Sequence, residues 1–172
     1  TTTVTGNVSA LGDGTGAALT VNNSATGLVD FQGTFGANSG LTGGAGTSLK
    51  FGQNVTLADG DTVTNLAGAV TLDGLDWSSF DGITFGAATL STAAVSLDSN
   101  GGNIALTTLA GGSQDLTIAA GTAAGTTTVT GNVSALGDGT GAALTVDNAA
   151  TGLVDFQGTF GANSGLTGGA GT

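Results

Sequence analysis

The chain has 172 residues, of which 34 are glycine and 39% are hydrophobic; proline, cysteine, histidine, methionine and tyrosine are absent. All twelve acidic residues are aspartate, Lys50 is the one cation, and the formal net charge is −11. A nucleic-acid binder needs Lys and Arg to displace phosphate counterions, disulfides and thiolate metal sites need Cys, and an anionic membrane surface repels such a chain, so these classes are set aside.

The chain opens with "TTTVTGNVSALGDGTGAALTV", and the same words return at Thr126. Thr1 aligns with Thr126 at an offset of 125 residues. Of the 47 aligned positions 45 are identical, the exceptions being Asn22 against Asp147 and Ser24 against Ala149. Residues 1–125 therefore read as one full repeat, and 126–172 as the first part of the next, continuous with it and without a linker. A long near-identical repeat is the mark of a tandem array. No apolar run approaches the ~20 residues of a membrane helix, and no signal-peptide pattern is present, which reads as an interior segment of something longer.

Along the repeat, short pieces follow one another: "TTTVT", "ALTV", "LVDFQGTF", "SLKFGQNVTL", "DTVTNL", "AVTL", "GITF", "AVSL", "NIALTTL" and "DLTIAA". Most alternate apolar with small polar residues, the period of a strand. Val55-Thr-Leu57, Val70-Thr-Leu72, Ile83-Thr-Phe85, Val95-Ser-Leu97, Ile104-Ala-Leu106 and Leu116-Thr-Ile118 share one pattern, with two apolar side chains pointing in and a small one pointing out. Between them stand "GDGTG", "LADGD", "DSNGG" and "LAGGS", whose residues turn the chain tightly. No 3.6-residue apolar stripe of useful length occurs. The pieces are too short for a sandwich, so an all-β solenoid is predicted, with about five to six coils of roughly 20–25 residues per repeat. At ~4.8 Å per rung, one repeat adds roughly 25–30 Å of rod. Phe31, Phe35, Phe51, Phe80 and Phe85 are predicted to stack inside as ladders.

The stretch "GGNIALTTLAGGSQDLTIAAGTAAGTTTVTGNV" resembles the repeat regions of filamentous-haemagglutinin-type adhesins and autotransporter-like exoproteins of bacteria, through its "GGNI-L", "-QDLTI-AG" and "V-GNV" strands. "GITFGAATLSTAAVSLDSNGG" is written in the same style. The resemblance implies a right-handed parallel β-helix, export by a bacterial surface-secretion route, an extracellular or cell-surface location, and a role as stalk, adhesin or fibre. It carries no site residue.

Some residues invite chemistry. Asp13, Asp59, Asp61 and Asp98 lie in Gly/Asn-rich turns, and Asp59 and Asp61, which flank a glycine, are candidates to share Ca²⁺ with backbone carbonyls. None of these turns has the tandem nonapeptide of a calcium roll, and an aspartate in such a turn also caps its own backbone. Trp77, the single Trp, stands in "LDGLDWSSFDG" near Asp73 and Asp76 and is a candidate to stack a glycan or face a host surface; the competing reading is a core residue. Paired carboxylates at Asp73/Asp76 or Asp76/Asp81 suit glycoside chemistry, but with no Arg or His beside them a catalytic role is not expected. Lys50 reads as a solvated sheet lysine, an inter-chain ion pair or a crosslink to Asn or Asp. The expected partners are copies of the chain itself, end to end and laterally, with glycan or another cell surface as the alternative.

Overall fold

The computed structural model describes residues 1–22, 27–119, 125–147 and 152–169. All twenty of its regular elements are β-strands, and every pairing between them is parallel. The chain is a β-solenoid of about 7 turns.

The first turn holds β1 (Thr2–Val4), β2 (Val8–Leu11) and β3 (Leu19–Val21), and the second β4 (Leu28–Phe31), β5 (Phe35–Ala37) and β6 (Leu41–Gly43). Then come β7 (Ser48–Phe51), β8 (Val55–Leu57), β9 (Thr64–Asp73), β10 (Asp76–Ser79), β11 (Ile83–Ser91), β12 (Val95–Asp98), β13 (Ile104–Ala110) and β14 (Leu116–Ala119). The second copy supplies β15 (Thr127–Val129), β16 (Val133–Leu136), β17 (Ala142–Val146), β18 (Val154–Phe156), β19 (Phe160–Ala162) and β20 (Gly165–Gly168).

The registers sort these strands into three stacked columns, the three faces of the rod. The first face runs β1, β4, β7, the C-terminal half of β9, that of β11, that of β13, then β16 and β19. The second runs β2, β5, β8, β10, β12, β14, β17, β20. The third runs β3, β6, the N-terminal halves of β9, β11 and β13, then β15 and β18. β9, β11 and β13 thus each bend from the third face to the first. In β9 and β11 a glycine sits in the bend, and a Cβ at Gly68 or Gly86 would run into the backbone carbonyl of Thr47 or Ala67 respectively. Only the bare α-carbon lets the next turn approach there.

The apolar-small-apolar triplets face as the pattern predicts. Val55, Leu57, Val70, Leu72, Ile83, Phe85, Val95, Leu97, Ile104, Leu106, Leu116 and Ile118 are all buried, and the residues between them are not. The turns vary more than expected, from 18 residues between Val70 and Ala88 to 28 between Ile118 and Val146. The slack sits in the corners, because the core fixes only the strands.

An aromatic run fills the interior of the early turns. Phe31 stacks on Phe51 with ring centres 5.3 Å apart, and Phe35 meets both edge-on at 4.9 and 5.6 Å. Phe51 meets Trp77 at 5.1 Å, and Trp77 meets Phe85 at 5.0 Å, both edge-on. Such pairs add about 0.5–1.5 kcal/mol each beyond burial. Phe80 departs from the expected ladder: it is 49% exposed. Trp77 and Ser79 point inward on β10, so the alternation of the strand turns Phe80 outward at the corner that follows.

Candidate functional site

Trp77 is fully buried. Its register partners are Val55 and Leu97, both core residues, and its ring lies between Phe51 and Phe85. Its indole N–H has no hydrogen-bond partner, so the side chain is held by apolar packing. The surface cluster expected around it does not assemble, because β10 points Trp77 into the core while Asp76 on the same strand faces solvent.

Asp76 and Asn54, one turn apart, bond each other: the Asp76 N–H donates to Asn54 Oδ1 at 3.0 Å, and Asn54 Nδ2 to Asp76 Oδ2 at 3.5 Å. Asp81 accepts from the Gly60 N–H at 3.2 Å. Asp73 receives Lys50 Nζ at 2.7 Å, the Ser91 hydroxyl at 2.8 Å and the Thr92 hydroxyl at 2.6 Å. Each carboxylate is engaged by a neighbouring turn or its own corner. Burial pushes the Asp73 carboxyl up, but the bonds from Lys50, Thr92 and Ser91 outweigh it and hold the group below its ordinary value. The same hydrogen bond raises the Lys50 ammonium above its ordinary value, against desolvation and with help from Asp30. Lys50 is therefore the rung-to-rung partner of Asp73 within one chain. The pair lies on the first face, where Lys50 is in register with Asp30 above and Thr71 below.

The calcium candidates gather along one corner, between the second and third faces, where the carboxylates of Asp13 and Asp98 cap their own loops. Asp13 accepts from the Thr15 N–H at 3.0 Å and the Thr15 hydroxyl at 2.7 Å, which lowers its pKa. Asp98 accepts from the Asn100 N–H at 2.8 Å. The Asp61 N–H donates to the Gly14 carbonyl at 3.2 Å, and Asp59 is exposed beside it. Among the described residues no three acidic side chains converge on a point that could hold a metal ion.

A groove of about 550 Å³ lies against the third face over the first three turns and is lined by Thr20, Asn22, Thr42, Gly44, Asn65 and Ala67 among others. Its lining holds no charged or aromatic side chain. The feature that sequence reasoning missed is the corner where Val63, 50% exposed, and Phe80 occupy consecutive turns; the parity of Trp77 and Ser79 carries the signal for Phe80.

Comparison of the chain with protein-family models, with curated proteins and with solved structures gives no match.

Proposed function

We propose that this chain is a structural rod segment of a bacterial extracellular or cell-surface filament or adhesin stalk, built to stack with copies of itself. The observation that carries the reading is that the second copy stacks on the first as directly as any turn stacks on its neighbour, and one leucine shows what such stacking buries. Leu41 is fully buried because β9 continues the third face beneath β6; its twin Leu166 stands at the last rung of the second face and is 60% exposed. A further rung laid on β20 would bury Leu166 as β9 buries Leu41, whether it comes from the same chain or another. Parallel pairing also runs without a break from the first copy into the second, β13 to β15 and β14 to β17. That continuity supports a role in which length is the product.

The mechanism is mechanical. Every rung hydrogen-bonds to the next along the rod axis, and each coil buries its apolar interior against its neighbours, so coils separate cooperatively. Carboxylates around the rod hold neighbouring rods apart at low ionic strength, and salt screens that repulsion over about 10 Å at 0.1 M. The sequence resemblance to haemagglutinin-type repeats supports the bacterial and extracellular parts of the reading.

Electron microscopy of the purified chain over a range of concentrations, with calcium and with a chelator, tests it. The expected result is uniform unbranched filaments with a ~4.8 Å spacing along the long axis. Discrete compact particles at every concentration would contradict it.

A further inference from the structure

The two copies do not lie on the same faces. In the first copy β1, β2 and β3 occupy the first, second and third faces. Their twins β15, β16 and β17 occupy the third, first and second. From β1 to β15 the chain makes five full turns and two further faces, and the paths from β2 to β16 and from β3 to β17 give the same seventeen faces. A 125-residue copy therefore winds a non-integral number of turns.

We propose that the 125-residue unit is a screw: each copy is set back by one face, about 120°, relative to the copy before it, so that a surface feature carried once per copy recurs on the same side of the rod only at every third copy. The rotation within this chain stands on the registers alone; its continuation past this chain rests on the tandem-rod reading above. At ~4.8 Å per turn one copy rises ~27 Å, and three copies, seventeen turns, rise ~82 Å. The consequence falls on the corner that carries Val63 and Phe80, exposed apolar residues beside Asp59, Asp61 and Asp81. Six turns per copy would line these corners along one edge and give a ribbon with one sticky side. Five turns and two faces distribute them over all three edges, so lateral contacts between rods are offered in three directions.

The screw is compatible with the strand language because what one copy must preserve is internal. The β2–β5 pairing of the first copy and the β16–β19 pairing of the second have the same register, Val8 to Phe35 and Val133 to Phe160, although they lie on different faces. The side-chain clamps travel with them: Asn38 Nδ2 donates to the Gly12 carbonyl at 2.6 Å, and Asn163 Nδ2 to the Gly137 carbonyl at 2.8 Å. A copy carries its own contacts round the rod.

The chain has no native cysteine, so paired cysteines report the register directly. Thr128 is in register with Ala105 on the third face, while an in-line arrangement of the copies would put it on the first face over Ala110. Under mild oxidation, Ala105→Cys/Thr128→Cys is expected to lose both free thiols as an intramolecular disulfide at the rate of the control Thr84→Cys/Ala105→Cys, whose residues are also register partners. Ala110→Cys/Ser134→Cys is expected to close likewise, and Ala110→Cys/Thr128→Cys to stay reduced. Closure of Ala110→Cys/Thr128→Cys with failure of Ala105→Cys/Thr128→Cys would overturn the screw, as would failure of both while the control closes. The assay is made on dispersed chains, so it reads the screw whether or not filaments form.

Discussion

Residues 1–47 and 126–172 are almost the same sequence at opposite ends of the rod, and their side chains meet opposite surroundings. Phe35 and Leu41 are buried, while their twins Phe160 and Leu166 are half-buried and exposed. Val8 and Leu19 are half-buried, while Val133 and Leu144 are in the core. The local geometry, in contrast, is copied faithfully. Ala10 and Ala135 both take the left-handed conformation, at φ 52° and 51°, and Thr15 and Thr140 make the same paired bonds to Asp13 and Asp138. Turn and strand are thus properties of the words, whereas burial is a property of the next rung. This is the energetics of a repeat architecture, in which intrinsic terms and neighbour terms separate.

The largest expected effect follows from the leucines. Leu41→Ala leaves a cavity in a closed core and is expected to cost about 2–5 kcal/mol. Leu166→Ala in dispersed chains is expected to cost less than about 0.5 kcal/mol. Denaturant unfolding of the two variants measures the difference; equal losses would break the comparison.

Glycine twins give the next contrast. A Cβ at Gly131 would lie 2.6 Å from the Thr107 carbonyl oxygen, whereas nothing lies within 4 Å of one at Gly6, on the first turn of this chain. Gly131→Ala is expected to cost about 1–3 kcal/mol through overpacking, and Gly6→Ala to change stability by no more than about 0.5 kcal/mol. Thermal melts of the two variants check this.

The Lys50–Asp73 pair, which lies wholly within the first copy, has a smaller effect. Asp73→Asn is expected to cost about 0.5–1 kcal/mol, the range of partly exposed pairs. The folded Asp73 carboxyl lies below its ordinary value of 3.8, so its contribution is complete above that value and is lost as pH falls through the lowered one. Lys50 lies above its ordinary 10.5, so its contribution is complete below that value and is lost as pH rises through the raised one. A pH series of unfolding midpoints is expected to show both losses in the parent chain and smaller ones in Asp73→Asn, the remaining acid loss coming from Asp13 and Asp138, which their threonines also hold below the ordinary value.

Much of this fold is legible in the sequence because period two survives at the level of three residues: Val55-Thr-Leu57 and its kin declare which side is inside without help from neighbours. Trp77 is legible by the same parity once β10 is placed, as is the outward turn of Phe80, which a rule that aromatics stack inside overrides wrongly. The faces on which the second copy lies are not legible. They depend on how many residues each corner absorbs, and turns of 18 to 28 residues leave that sum open until the registers are known. The acidic turns are legible as turns, and the partners of Asp13 and Asp98 lie two residues away in the chain, where local capping chemistry puts them.

Hydrogen exchange on the dispersed chain, comparing the amides of residues 35–43 with those of 160–168, tests most directly the claim that the neighbouring rung decides stability. The sequences of these two segments are identical, so intrinsic exchange cancels. Strong protection is expected in 35–43, which has a rung on each side. Exchange faster by at least about tenfold is expected in 160–168, with protection regained when further rungs stack on the end. Equal protection of the two segments in dispersed chains would contradict the claim.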